Sequence, residues 1–347
     1  MNKHGGYYGE NQEKVLDFSV NINPLGITEK VKEKLIESIN TINRYPEIDG
    51  ESVKKVLADR LNVETSQVII GNGVIELIYL FARAFCPNKV VIIQPTFNEY
   101  LRAFNLTGSI ICNYELTYSN DFNLETNALL GYLKETKPDL LILCNPNNPT
   151  GHFIRYKDLL PVISYIKEIG AYLLLDESFI DFTDEESCVN HVKEFPIFIL
   201  RSMTKFYAIP GLRLGYGIAN SNIINKLNEY KEPWTINTFA LSIVSTILDD
   251  EAFYKESKKW LQAEKSYLYK ELKKMKSIDF FNSQANFILC RVKKGNAYEM
   301  REKLMKYNIY IRVCDDFVGL DNTYFRVAIK SHKDNVKLIN AIKEILQ

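Results

Sequence analysis

Ile197-Phe198-Ile199-Leu200-Arg201-Ser202-Met203-Thr204-Lys205-Phe206-Tyr207-Ala208-Ile209-Pro210-Gly211-Leu212-Arg213-Leu214-Gly215-Tyr216 sets four unbroken apolar residues directly before a polar, turn-forming stretch. Apolar residues in a row, without polar alternation, read as a strand buried on both faces, the pattern of a parallel sheet covered by helices. Three other runs share the form: Val90-Val91-Ile92-Ile93, Leu140-Leu141-Ile142-Leu143 and Tyr172-Leu173-Leu174-Leu175. Helical periodicity fills the intervals at about 98–107, 123–136 and 156–169. Strand-helix-strand alternation makes the fold class α/β, with a large domain of mainly parallel sheet between helices, expected over 45–220.

Beyond that domain come long helical patterns at 222–231 and 237–276, then a strand at Asn286-Phe287-Ile288-Leu289-Cys290. A helix near 296–308, strands over 309–313 and 324–329, and a last helix from about 332 complete a smaller C-terminal α+β domain over 221–347. Residues 1–44 read as an N-terminal arm with a helix from Thr28, packing with the small domain.

The chain has 347 residues, with 43 Lys+Arg against 43 Asp+Glu. A 46% hydrophobic and 12% aromatic content is ample for folded cores and argues against long disorder. Charge balance leaves no global basic field to recruit nucleic acid or anionic lipid, though it permits a local cluster of Arg and Lys. No stretch approaches the roughly 20 apolar residues that span a bilayer. The opening Met1-Asn2-Lys3-His4-Gly5-Gly6-Tyr7-Tyr8 lacks the apolar core of a signal peptide, so a cytoplasmic location is expected. Cysteines at 86, 112, 144, 188, 290 and 314 never form C-x-x-C and read as reduced thiols. Four scattered histidines give no zinc spacing, and no metal is expected.

Chemistry in a parallel sheet gathers at the carboxyl ends of the strands, and four strand ends here are polar and conformationally special. Lys205 stands in a turn just past a buried strand, where partial desolvation eases the deprotonation that an imine-forming amine requires. Ser202 and Arg213 flank it, suited to a phosphate dianion; taken alone, the segment also reads as a surface loop. Asp176 ends the most hydrophobic strand, either as a helix cap or as a carboxylate that keeps a pyridine nitrogen protonated. Cys144-Asn145-Pro146-Asn147-Asn148-Pro149-Thr150-Gly151 is dense in turn formers, and Asn148 is suited to bond a ring oxygen. Gly71-Asn72-Gly73 opens a helix whose backbone N–H groups can approach an anion. Glu76 denies this segment the G-x-G-x-x-G pattern, and no G-K-[ST] is present, so nicotinamide and nucleoside-triphosphate chemistry lose their signatures.

Taken in order, Gly71-Asn72-Gly73, Pro95-Thr96-Phe97, Asn147-Asn148-Pro149-Thr150-Gly151, Asp176-Glu177, Ser202-Met203-Thr204-Lys205 and Gly211-Leu212-Arg213-Leu214-Gly215-Tyr216 resemble the motif set of fold type I pyridoxal-phosphate enzymes, the aspartate aminotransferase superfamily. The likeness covers essentially the whole chain and implies pyridoxal 5'-phosphate as cofactor. By this resemblance Lys205 bonds the cofactor and shuttles protons, Asp176 pairs with its ring nitrogen, Asn148 meets its ring oxygen and Phe97 stacks on it. Ser202, Arg213 and the backbone amides of Gly73 and Val74 would hold its phosphate. Tyr45, in Arg44-Tyr45-Pro46, resembles the tyrosine that reaches a neighbouring site across a dimer interface, which implies a homodimer.

Two families within the superfamily compete. Arg44-Tyr45-Pro46 and the run 145–151 are shared with histidinol-phosphate aminotransferases. His4-Gly5-Gly6, Leu16-Asp17-Phe18-Ser19-Val20-Asn21-Ile22-Asn23-Pro24-Leu25-Gly26, Pro233-Trp234-Thr235-Ile236-Asn237 and Ile311-Arg312-Val313-Cys314 look like threonine-phosphate decarboxylases of cobalamin biosynthesis. Phe179 stands where aminotransferases of this group usually carry Tyr. Val74 and Ile75 replace polar residues of some relatives, and Lys330 stands where Arg is frequent. The resemblance implies decarboxylation of O-phospho-L-threonine to (R)-1-aminopropan-2-yl phosphate, with phosphoserine as an alternative substrate. The alternatives are an aminotransferase acting on histidinol phosphate or a related phosphorylated amine and, more distantly, a non-catalytic ligand sensor on the same fold.

Carried over by position, Arg326 resembles the arginine that binds the substrate carboxylate and Arg312 a substrate-binding partner. His4 and Asn21 resemble arm residues that close over the substrate phosphate. Without the resemblance, Arg312 reads as surface charge, Arg326 as a strand-edge ion pair, His4 as a free terminus and Asn21 as a turn residue.

Overall fold

The apolar runs fold as strands of one sheet because nothing in them can face water. In the computed structural model, which describes residues 4–346, the seven strands lie in the order Val68–Gly71, Gly215–Ile218, Ile197–Ser202, Tyr172–Asp176, Leu140–Cys144, Lys89–Gln94, Ile110–Glu115. Only Gly215–Ile218 runs antiparallel to its neighbours. The remaining six therefore point their carboxyl ends at one edge of the sheet. Alternate residues of each strand serve opposite cores: Val91, Leu141, Leu173 and Ile197 pack on one face, Val90, Leu140, Leu174 and Phe198 on the other. Both faces are dry, which is why the strands show no polar alternation.

A second, four-stranded antiparallel sheet comprises Arg312–Val313, Tyr324–Ala328, Phe287–Val292 and Ile278–Phe280. Helices Glu251–Leu272, Ala297–Met305 and His332–Leu346 pack with it around a core that includes Phe287, Phe325 and Leu338. The chain is thus a large α/β unit joined to a smaller α+β unit. Among the described residues, no helix is long and apolar enough to cross a membrane.

The arm stitches the two units together. Leu16–Asp17 pairs in parallel with Ile309–Tyr310, and Phe18 is fully buried in the small unit's core. The Phe18 carbonyl accepts from Ala328 N–H at 2.8 Å, and Asn23 N–H donates to the Lys205 carbonyl at 3.0 Å. The Asn23 amide also donates to the Phe206 carbonyl at 2.9 Å and to Ser257 Oγ at 2.7 Å. The helix Glu29–Ser38 goes the other way: its Val31 belongs to the core of the large sheet, which also holds Ala240, Val244 and Ile247. The stretch 1–44 therefore contacts both units.

Two expected elements are divided. The helical pattern over 237–276 forms Thr238–Ser242, Val244–Leu248 and Glu251–Leu272, because the Asn237 side chain caps the first helix and Asp250 caps the third. The strand expected over 309–313 splits at Ile311, since Ile309–Tyr310 pairs with the arm and Arg312–Val313 with Tyr324–Ala328. The Asn23 contacts are buried, so Asn23→Ala leaves the Phe206 carbonyl and Ser257 hydroxyl without their partner. We expect a loss of about 1–3 kcal/mol in denaturant unfolding, and an unchanged midpoint would show that the arm does not brace the lysine turn.

Candidate active site

At the carboxyl edge of the large sheet, the strand Ile197–Ser202 delivers Lys205 through a tight turn. Met203 N–H donates to the Leu214 carbonyl at 3.2 Å and Ile209 N–H to the Thr204 carbonyl at 3.1 Å, so the turn is closed on itself. The half-buried Lys205 ammonium donates to Ser202 Oγ at 3.4 Å and stands 5.0 Å from the centre of the Phe179 ring. Burial lowers its pKa from the ordinary lysine range; Asp176 and Cys144 oppose the shift, while Arg213 and Arg326 reinforce it. More of this amine is therefore neutral, and nucleophilic, than of a surface lysine.

Asp176 ends the neighbouring strand and is only 3% exposed. Its Oδ1 accepts from Ser178 N–H at 2.8 Å and its Oδ2 from the Tyr100 hydroxyl at 2.5 Å. Cys144, at the end of the next strand, lies directly opposite it in the parallel register. This places a buried carboxylate, held by two donors, in the wall of a cavity of about 330 Å³ that Lys205 also lines.

The opposite requirement, an anion cradle, is met at Gly73. That residue has φ 76°, and a Cβ on it would lie 2.3 Å from an Arg213 guanidinium nitrogen. A Cβ on Gly215 would lie 2.7 Å from Val74 N, so both glycines keep the N-terminus of helix Val74–Phe85 open beside Arg213. Unsatisfied first-turn N–H groups and the helix dipole favour an anion there. Ser202 Oγ shares a 2.9 Å hydrogen bond with Thr204 Oγ1 beneath the lysine. A buried carboxylate, a reactive amine and an anion cradle around one cavity fit the three binding groups of pyridoxal 5'-phosphate: its ring nitrogen, its carbonyl carbon and its phosphate.

Phe97 and Asn148 line the same cavity, as do Val74, Arg213 and Arg326. Asn148 Oδ1 accepts from Arg326 Nη1 at 2.5 Å, and Arg326 Nη2 donates to the Ser19 carbonyl at 3.0 Å. The arm forms another wall through His4 and Asn21. His4 Nε2 sits 3.1 Å from Glu99 Oε1, and the Asn21 side-chain and backbone groups pair reciprocally with the Asn286 amide at 2.9 Å.

Two expected site residues stand apart. Arg312 is buried and is not among the residues that line the cavity, donating to Asp316 Oδ2 at 2.7 Å and to the Val313 carbonyl at 2.5 Å. It lies directly opposite Arg326 on the adjacent strand. Tyr45 is 85% exposed and rests against Trp234, ring centres 5.2 Å apart, in a different groove. Sequence reading missed Tyr100, although its place three residues after Phe97, one helical turn on, was a usable signal.

Residues 13–345 match the family "Aminotransferase class I and II". The chain is 36% identical to the threonine-phosphate decarboxylase of Salmonella typhimurium over 344 residues, covering 97% of this chain and 93% of that protein. It is 33% identical to the histidinol-phosphate aminotransferase of Methanosphaera stadtmanae over 346 residues, covering 98% and 93%. The crystal structure of the histidinol-phosphate aminotransferase from Clostridium acetobutylicum superposes with a TM-score of 0.89 at 33% identity, covering 95% of this chain and 99% of that one. The cofactor that the cavity fits is pyridoxal 5'-phosphate. The chain belongs to the class I and II aminotransferase family and has the fold of its type I pyridoxal-phosphate enzymes.

Proposed function

We propose that the protein removes carbon dioxide from O-phospho-L-threonine, giving (R)-1-aminopropan-2-yl phosphate for cobalamin biosynthesis, with phosphoserine as a second substrate. The observation that carries an anionic amino-acid substrate is Arg326. Two guanidiniums directly opposite on neighbouring strands repel, and the close ion pair with Asp316 is made by Arg312. Arg326 is left with an ordinary amide and a carbonyl as partners, and its buried Nε has none among the described residues. Burial lowers its pKa to about 10, so a substrate carboxylate is the complement this pocket lacks. The substrate phosphate is assigned to the wall built by the arm, near His4 and Asn21.

When bound, pyridoxal 5'-phosphate supplies the electron sink for a bond broken at the substrate's α-carbon. Asp176 would hold the ring nitrogen's proton, Asn148 would bond the ring oxygen and Phe97 would cover the ring. Gly73, Val74, Ser202 and Arg213 hold the phosphate. Lys205 would bind the cofactor carbon and carry a proton to or from the α-carbon. Arg326 would orient the substrate through its carboxylate and so decide which bond at the α-carbon is placed for breaking. Decarboxylation is favoured over transamination by the 36% identity to a threonine-phosphate decarboxylase and by Phe179, which packs 5.1 Å from Phe287 and offers no phenol beside Lys205. The aminotransferase reading is supported by the 33% identities to histidinol-phosphate aminotransferases. The active unit is a cytoplasmic homodimer in this reading, with arm, cofactor and small domains over 1–44, 45–220 and 221–347. Exposed Ile36, Ile39, Ile42, Tyr45 and Trp234 support a second copy covering that side.

Carbon dioxide should be released from O-phospho-L-threonine without 2-oxoglutarate; a requirement for 2-oxoglutarate with glutamate as product would replace this reading with the aminotransferase. Lys205→Ala should abolish the yellow absorbance of the bound cofactor near neutral pH, and persistence of that band would remove Lys205 from its role. Arg326→Gln should raise KM for the phosphorylated amino acid by about 100-fold. It also removes a cation that lowers the Lys205 pKa, so that pKa rises and the neutral amine appears only at higher pH. The rate of cofactor capture by the apo chain should accordingly begin its climb at higher pH, and an unmoved profile would separate Arg326 from Lys205.

A further inference from the structure

Tyr100 is fully buried, yet its hydroxyl reaches Asp176 Oδ2 at 2.5 Å. It comes from helix Glu99–Leu106, with Ala103 and Phe104 of the same helix set in the core beneath the sheet. Its ring meets the Phe97 ring edge-on at 5.7 Å, and both residues line the cavity. One short segment therefore sets the aromatic wall and one of the two donors that orient Asp176. A tyrosine serving only as core filler would need no carboxylate, and the other Asp176 oxygen is already satisfied by Ser178 N–H at 2.8 Å.

We propose that Tyr100 is a positioning residue: its hydroxyl holds the Asp176 carboxylate aimed at the cofactor's ring nitrogen, and so keeps that nitrogen protonated. This rests on the cofactor reading of the cavity. The proton stays on the phenol. Burial first, then the charge of Asp176 and the Cys144 thiol, push the Tyr100 pKa well above its ordinary value, so it donates and does not compete for the negative charge. Cys144 is likewise held as a thiol and turns its hydrogen to the Pro146 carbonyl at 3.3 Å. Of the groups facing Asp176, Tyr100 is thus the side chain that donates to it, Lys205 supplies the neighbouring positive charge and Cys144 remains neutral. Without Tyr100 one carboxylate oxygen loses the donor that fixes its direction, so Asp176 would no longer be held toward the ring nitrogen, which should then release its proton at lower pH.

The test is nitrogen-15 NMR of the holoenzyme loaded with cofactor labelled at the ring nitrogen, titrated with pH for the wild type and Tyr100→Phe. The midpoint for loss of the ring proton should fall by about one unit or more in the variant, with kcat reduced about tenfold or more and KM little changed. Site-specific 3-fluorotyrosine at position 100, a stronger donor with the same shape, should move the midpoint the other way and serves if Tyr100→Phe does not fold. A wild-type sample with no bound-cofactor resonance overturns the cofactor reading and this proposal together. A bound resonance whose midpoint is the same in wild type and both substitutions overturns the proposal alone, as does a loss confined to KM.

Discussion

The structure depends on keeping charged groups out of water at one edge of a dry sheet. Asp176 is buried between two neighbouring strands of the sheet, and such a carboxylate persists only if donors replace the water it has lost. Ser178 N–H and the Tyr100 hydroxyl do so. A second buried set lies just below, where the Arg201 guanidinium sits 2.9 Å from Glu177 Oε2 and 3.3 Å from Asp181 Oδ1. It links the strand that ends in Asp176 to the strand that leads into Lys205. Removing one partner of such a pair leaves a stranded charge, so the two strand ends are tied together by groups that cannot be lost singly without cost.

Neutral overall composition conceals a local excess of positive charge around the cavity. Lys205, Arg213 and Arg326 line it, while Arg312 stands behind Arg326 already matched by Asp316. The lone acidic residue in the cavity wall, among the described residues, is Asp176. Such a pocket suits small anions, which is the property the charge balance of the whole chain could not reveal. Burial lowers the pKa of Lys205 most, and Arg213 and Arg326 add to it, so groups suited to binding anions also help ready the amine.

Much of the fold was legible because the large sheet is parallel and buried on both sides. Runs such as 140–143 and 172–175 admit few other readings. Strands with mixed surroundings were not legible: Ile110–Glu115 is an edge strand with one half-exposed face, and Gly215–Ile218 carries two glycines that break any apolar run. The break in the helical stretch 237–276 comes from caps at Asn237 and Asp250, which periodicity alone overrides. In the site, Lys205, Asp176, Asn148 and Arg213 were legible because each sits at a strand end in a distinctive local sequence. Tyr100 was not, since a tyrosine inside an amphipathic helix looks like core until the helix is docked.

By itself the sequence determined the α/β class, the strand ends where chemistry gathers and the residue types able to hold a phosphate, a ring nitrogen and a carboxylate. These follow from local periodicity and from short motifs, which need no distant partner to be recognised. Only the tertiary structure decided that Arg312 pairs with Asp316, that the arm ties Phe18 to one core and Asn23 to the lysine turn, and that Tyr45 lies outside the cavity of its own chain. Those outcomes depend on residues up to about 300 positions apart, brought together by strand register and by the packing of the arm between two units. Distance along the chain carries no record of such pairings, because they are selected by which buried polar group finds a partner once the cores have closed.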